Sequence, residues 1–115
     1  MVNQERQAFS LQQLLDTQAE KGELYHEFLR VPSMSGGIYQ LAAGDVDHQQ
    51  PHTEDELYCV IHGCAQLRVG EEDIPVTSGS IVFVAAHVPH HFHSITEDLT
   101  VLVLFSPAEY TLKQI

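Results

Sequence analysis

The stretch QQPHTEDELYCVIHG, Gln49–Gly63, decides the fold because its residues are compatible with two different structures. Pro51 at a first helical position, three acidic residues in the first turn and Gly63 at the end are typical of a helix. The run Leu57–Ile61, LYCVI, is instead typical of a strand, and the segments on both sides alternate with a period of two. The pattern therefore favours a strand that carries polar side chains.

The rest of the chain indicates one short helix followed by an all-β domain. Residues 10–21 predict the helix, because Ser10 can cap its start and Gly22 can end it. After it, β-rich runs alternate with turn residues at intervals of about 8–12 residues, which predicts a sandwich, barrel or jelly roll. These runs are YHEFLRV (25–31), GIYQLA (37–42), LYCVI (57–61), AQLRV (65–69), SIVFVA (80–85), HHFHSI (90–95) and LTVLVLF (99–105).

Length and charge limit the classes of function. The 115 residues are enough for one domain, and the formal net charge of −11 opposes binding to phosphate backbones and anionic lipids. We therefore expect no nucleic-acid or membrane partner. The sequence has neither an apolar run of about 20 residues nor a signal-peptide pattern at its start, so a cytoplasmic location is expected.

Clustered histidines are the first indication of function. Of eight histidines, five lie at positions 48, 52, 87, 90 and 91. If residues 48–52 form a strand, positions 48, 50 and 52 share a face, and Glu56 and Tyr58 share a face of the next strand after a bend at Thr53–Asp55. Two histidines and a carboxylate that converge would suit a divalent transition metal: imidazole binds iron, nickel, copper or zinc well, and carboxylate binds harder ions such as manganese.

At these positions the chain resembles the cupin superfamily, small jelly-roll β-barrels with a metal site inside the barrel. The first cupin motif is glycine, five residues, His-x-His, three or four residues, Glu, six residues, glycine. Here Gly44, His52, Glu56 and Gly63 fit every spacing, and Gln50 stands where the first histidine belongs.

The second cupin motif is degenerate in this chain. Gly79 and His90 match it, whereas Ala85, His87 and Ser94 replace its proline, glycine and asparagine. The resemblance covers roughly residues 36–106. It implies an all-β jelly-roll cupin barrel at 36–115, preceded by a helix and an edge strand at 1–35.

The resemblance also implies a set of site residues. His52, Glu56 and His90 correspond to metal ligands, and Gln50 would add a weak amide ligand or hydrogen-bond a metal-bound water. His48 could replace the missing imidazole only across a bulge, because an extended strand places it about 13 Å from His52. Tyr58, two residues after Glu56, is expected to touch a metal-bound ligand, so Tyr58 and Gln50 are the candidate catalytic residues.

Two histidines and one carboxylate are the ligand set of non-haem Fe(II) oxygenases, which favours a dioxygenase-like oxidoreductase acting on a small molecule. A metal-dependent isomerase or decarboxylase is the alternative, with Glu54 or His87 as the nearest bases, although Glu54 and Asp55 are expected to form a solvated acidic rim. A non-catalytic ligand-binding module, or a cupin that has lost its metal, also stays open. The metal could be Fe, Mn, Ni or Zn.

Small cupins are commonly dimers, and the resemblance extends that expectation to this chain. The run Tyr25–Val31 could add an edge strand to a partner's sheet, which would cover an exposed edge. A homodimer is therefore expected.

Overall fold

The computed structural model of the protein describes residues 5–49 and 51–112. Within them, one helix is followed by strands that all pair antiparallel, which confirms the all-β class with a short N-terminal helix. The elements are α1 (Leu11–Lys21), β1 (Tyr25–Val31), β2 (Met34–Leu41), β3 (Asp55–Val69), β4 (Glu72–Thr77), β5 (Ile81–Val84) and β6 (His90–Ser106).

The helix α1 has the caps that the sequence predicted. The Ser10 hydroxyl accepts a hydrogen bond from the Gln13 N–H, and Gly22 ends the helix in a left-handed conformation with a φ of 65°. Gln18 is buried and its amide donates to the carbonyls of Glu23, Leu24 and Ile38. This side chain therefore ties the helix to the start of β1 and to β2.

The opening stretch contains the start of a strand, not a helix, and that strand is longer than predicted. β3 joins the two runs at 57–61 and 65–69, and β6 likewise joins the runs at 90–95 and 99–105. Residues 46–49, 51 and 52 have no strand pairing, so the predicted strand at 48–52 is wrong there. β4 was missed because Pro75 and two acidic residues are rare in strands; it lies at an end of the sheet, where proline is tolerated.

The central pair of strands, β3 and β6, organises the rest of the molecule. The sheet order is β1-β2-β6-β3-β4, with β5 also paired to β3. β5 pairs with the first part of β3 and β4 with its last part, and between them the register with β6 shifts from Val60 to Gln66. These bulges bend the pair, so that both parts cover one core. The core includes Leu41, Tyr58, Val60, Leu67, Val76, Phe92, Val101 and Phe105.

Gly63 is required at the bend. Its φ is 108°, and a Cβ there would lie 2.5 Å from the carbonyl oxygen of Asp98 and 2.8 Å from the Cα of Leu99, both backbone atoms of the paired strand. Gly63 therefore combines a strained φ with a close backbone approach.

We predict that Gly63→Ala lowers the free energy of unfolding by about 1–3 kcal/mol, because the added methyl forces β3 and β6 apart at a φ that alanine avoids. Urea denaturation of the metal-free protein measures this change. Gly70→Ala is the matched control, since Gly70 has a φ of 60° but nothing within 4 Å of an added Cβ. Equal losses from both variants would show that the close approach is unimportant.

Candidate metal centre

Three buried side chains converge beside the central strand pair. His52 lies in the loop before β3, Glu56 is the second residue of β3, and His90 is the first residue of β6. Oε1 of Glu56 lies 2.9 Å from Nε2 of His90 and 3.6 Å from Nδ1 of His52. One ligand atom from each residue lies within 4.8 Å of the others, and no second such group occurs in the described parts of the chain.

The donor atoms of this group fit a divalent metal ion. His52 Nδ1, His90 Nε2 and both oxygens of Glu56 are buried and make no hydrogen bond within the protein. Such burial is costly unless another group satisfies these atoms. Two donors bound side by side to one ion at about 2.1 Å lie about 3 Å apart, close to the separations observed. One cation would satisfy all three side chains.

His90 is held in the tautomer that a metal ligand needs. Its Nδ1 lies 2.8 Å from the carbonyl oxygen of Val88, so Nδ1–H donates to that carbonyl and the lone pair of Nε2 faces Glu56. Burial lowers the pKa of His90, but the contacts with the Glu56 carboxylate and the Val88 carbonyl outweigh burial and raise it. The surroundings of Nε2 therefore favour a positive charge.

His52 is fixed by a carboxylate that the sequence did not indicate. Its Nε2 lies 2.9 Å from Oε2 of Glu109, while its Nδ1 faces Glu56. The rings of Phe105 and Tyr110 lie against the imidazole, with centroids 4.7 Å and 5.6 Å away. Glu109 lies outside both cupin motifs, and no local pattern in the sequence marks it.

Residues 107–112, the C-terminal segment, carry Glu109 to the site. The guanidinium of Arg30 donates to the Glu109 carbonyl at 2.7 Å, and the Glu109 N–H donates to the Ser35 hydroxyl at 2.8 Å. Glu54 accepts the backbone N–H groups of Tyr110 and Leu112 at 2.7 Å and 2.9 Å. The predicted solvated rim is therefore wrong for Glu54, which is only 1% exposed.

The pKa of Glu54 reflects these bonds. Burial raises the pKa of this carboxyl, but the hydrogen bonds from the Thr53 hydroxyl and the two backbone N–H groups outweigh burial and lower it. The ionised carboxylate is therefore the form that holds the C-terminal segment.

Tyr58 lies beside the candidate metal ligands, but its hydroxyl has another partner within the protein, and its catalytic role stays a prediction. The residue is 1% exposed, its ring centroid lies 5.9 Å from that of His90, and its hydroxyl donates to Oε1 of Gln49 at 2.9 Å. Burial and the nearby Glu56 raise the pKa of this phenol. Gln50, predicted as a weak ligand and catalytic residue, lies outside the described residues, and both roles stay predictions. His48 is exposed and is not part of the three-residue group.

Asp47 holds the loop that leads to His52. This buried carboxylate accepts the Tyr39 hydroxyl at 2.6 Å, the Gln49 side-chain amide at 2.7 Å and the Phe92 N–H at 2.9 Å. The loop has no strand pairing of its own, so Asp47 supplies bonds to β2 and β6 that position it. No pattern in the sequence indicates this role.

A cavity of about 440 Å³ opens beside the candidate metal ligands. Phe105 lines it, whereas Phe83 is 59% exposed and lies on the outer side of the sheet. The lining is mainly apolar and aromatic. It comprises Leu24, Tyr25, Tyr39, Leu41, Val46, His48, Gln49, His52, Glu56, Val103, Phe105, Glu109 and Tyr110.

Comparison with known proteins agrees with this architecture. A family model described as the cupin domain matches residues 37–106, which include both histidines and the carboxylate of the site. This chain belongs to the cupin family. The match also includes the strands β3, β4 and β5, and β6 in full.

Relatives of this cupin support the same fold. An uncharacterized protein of Streptomyces coelicolor is 49% identical over 102 residues, which cover 89% of this chain and 97% of that protein. The structure of KdgF from Halomonas sp. is similar with a TM-score of 0.67 at 20% identity, covering 92% of this chain and 90% of the other. An RmlC-like cupin from Shewanella frigidimarina has a TM-score of 0.67 at 19% identity, covering 73% of this chain and 75% of the other. The predicted cupin jelly roll is confirmed.

No helix within the described residues has the length and apolar character needed to cross a membrane.

We predict that Glu54→Ala releases the C-terminal segment, because the N–H groups of Tyr110 and Leu112 lose their acceptor. The free energy of unfolding should fall by about 1–3 kcal/mol. Amide hydrogen exchange should become faster at both positions, and NMR measures it residue by residue. Glu71→Ala, at an exposed turn, is the control. Unchanged exchange at Tyr110 and Leu112 in Glu54→Ala would contradict the role of this carboxylate.

Proposed function

We propose that this cupin is a metal-dependent oxygenase that acts on a small, largely apolar molecule. The observation that carries the proposal is the group of unpartnered, buried donor atoms on His52, Glu56 and His90 beside a cavity of about 440 Å³. Two histidines and one carboxylate leave further coordination positions open, which is the ligand set of non-haem Fe(II) oxygenases.

Each part of the chain has a separate task in this proposal. His52, Glu56 and His90 hold the ion, which when bound supplies Lewis acidity and, if it is iron, electrons for reaction with O2. The Val88 carbonyl and the Glu109 carboxylate orient the two imidazoles. The apolar wall of the cavity excludes water from the reacting groups.

The lining of the cavity supports an uncharged substrate with an aromatic or apolar body. Tyr25, Tyr39, Phe105 and Tyr110 provide ring surfaces, and the described lining residues include no lysine or arginine that would pair with an anion. The Glu109 carboxylate would repel one. The Tyr25 hydroxyl is buried and has no hydrogen-bond partner within the protein, so it is available to a substrate oxygen. The volume is within the range of small-molecule sites.

A metal-dependent isomerase or decarboxylase is the second candidate, favoured by one observation. Such chemistry needs a base near the metal, and the Glu109 carboxylate reaches the cavity. Glu54 does not suit this role, because its oxygens accept the N–H groups of the C-terminal segment. His87 is exposed on the turn before β6.

We predict that the protein binds one equivalent of a divalent transition metal and that His52→Ala, Glu56→Ala and His90→Ala each lose it, because each removes one of three strong ligands. Elemental analysis after reconstitution with Fe(II), Mn(II), Ni(II) or Zn(II) measures binding. With Fe(II), an oxygen electrode should record uptake with one of the uncharged substrates tried, such as catechol, a diketone, a flavonol or a thiol. Adding a carboxylate group to an accepted substrate should weaken its use.

The control for these variants is His91→Ala, which removes a neighbouring imidazole of β6 that is not in the group. Metal binding without oxygen uptake, but with turnover under anaerobic conditions, would favour the isomerase or decarboxylase. A ligand that raises thermal stability and is not consumed would favour the binding module. Stoichiometric metal in all three ligand variants would refute the site.

A homodimer is part of the proposal. β1 lies at an end of the sheet order and pairs only with β2 among the described strands, which supports pairing with a second copy. A second surface through which two copies could pair is the exposed apolar patch of Leu57, Ile81 and Phe83, on the outer side of β3 and β5.

We predict that light scattering at micromolar concentration gives twice the mass of one chain, because the exposed edge of β1 is covered by its symmetry mate. Phe83→Asp separates the two surfaces: the dimer should persist if it forms through β1, and should dissociate if it forms through the apolar patch. The mass of a single chain for the unmodified protein would exclude the dimer.

A further inference from the structure

We infer that Glu109 is a positioning residue of the metal centre, which holds His52 through Nε2–H so that Nδ1 is presented to the ion. The inference rests on the metal site of the proposed function. It assigns a role in that site to the C-terminal segment, residues 107–112, which lies beyond the stretch that the cupin family model matches.

The geometry separates Glu109 from the ligands themselves. Its Oε2 contacts Nε2 of His52, whereas Nδ1 of the same ring faces Oε1 of Glu56. The two nitrogens of an imidazole point away from each other, so one ion cannot bind both. Glu109 is also absent from the group whose ligand atoms lie within 4.8 Å of one another. It therefore lies on the outer side of the His52 ring.

This bond fixes two properties of His52. As an acceptor, the carboxylate requires the proton on Nε2, which leaves the lone pair on Nδ1. It also opposes a 180° flip of the ring, because a flip would exchange both nitrogens for carbons and lose both contacts. The neighbouring rings of Phe105 and Tyr110 limit the tilt of the imidazole but contact either flip state equally well. Only a polar partner selects between the two states.

Glu109 is itself held firmly. Its backbone N–H and C=O are bonded to Ser35 and Arg30, and the next residue donates its N–H to Glu54. These anchors belong to β2, β1 and the bend before β3. A carboxylate held in this way orients a metal-binding imidazole and raises its basicity, and such outer partners typically change metal affinity by about 10–100-fold.

The test uses the whole chain and two readouts, neither of which is enzyme activity. Long-range ¹H–¹⁵N correlation spectra of the metal-free protein identify which ring nitrogens of His52 carry a proton. Competition with a chromophoric chelator measures the Kd for Zn²⁺. The variants are Glu109→Ala, Glu109→Gln, which keeps an acceptor oxygen at nearly the same size, His90→Ala as a ligand variant, and Glu71→Gln as an exposed control.

We expect the Nε2–H tautomer in the unmodified protein and a mixture in Glu109→Ala. The Kd for Zn²⁺ should rise about 10–100-fold in Glu109→Ala, by less in Glu109→Gln, and not at all in Glu71→Gln. If Glu109→Ala fails to fold, Glu109→Gln must still weaken binding relative to Glu71→Gln. If the Glu109 variants keep the tautomer of His52 and the Kd for Zn²⁺ of the unmodified protein, while His90→Ala loses binding, the role of Glu109 is overturned and the metal site stands. No Zn²⁺ binding by the unmodified protein would overturn the metal site and this inference together.

Discussion

The buried carboxylate of Glu56 is the constraint on which the site depends. Both of its oxygens lie within the protein without a hydrogen-bond donor, and its Oε1 lies 2.9 Å from Nε2 of His90 and 3.6 Å from Nδ1 of His52. An ionised carboxylate in such surroundings requires a cation, and a protonated histidine or a divalent metal would each supply one. In the metal-free protein, the Glu56 carboxylate accordingly contributes to the raised pKa of His90. A divalent metal ion would be the better cation here, because one ion would satisfy both imidazoles and the carboxylate.

The three candidate ligands differ in how they are held. Glu56 and His90 belong to the paired strands β3 and β6, so the sheet itself fixes their backbone. His52 precedes β3 in a stretch without strand pairing, and its position depends on Asp47 upstream, on the backbone bond from the His87 N–H, and on Glu109. Glu54 connects these parts, because it lies between two ligand residues and holds the segment that carries Glu109. Loosening that segment should therefore affect His52 before the other two ligands.

The sequence predicted what depends on local pattern. The caps of α1 and the bounds of β1 are local, and both agree with the structure. The resemblance to the cupin motifs indicated His52, Glu56 and His90, and the structure brings these three side chains together. The merging of runs into β3 and β6 was missed because bulges let a strand continue through turn-like residues. Asp47, Glu54 and Glu109 were missed because each has a partner that lies 45 to 57 residues away in the chain.

Gln50 replaces one histidine of the first cupin motif, and the Glu109 carboxylate beside His52 changes what this replacement implies for the site. A count of motif histidines finds one ligand fewer than in a typical cupin site and suggests a weaker site. The structure adds a carboxylate that the motif does not contain, on the outer side of His52. In the proposed site, a carboxylate partner would make the imidazole a stronger donor, and it would also bring a second negative charge close to an ion bound beside Glu56. That charge would offset the remaining charge of a divalent ion bound by one carboxylate, so the loaded cavity would not need to attract anions. The same residue thus bears on both the strength of the metal site and the kind of molecule that would approach it.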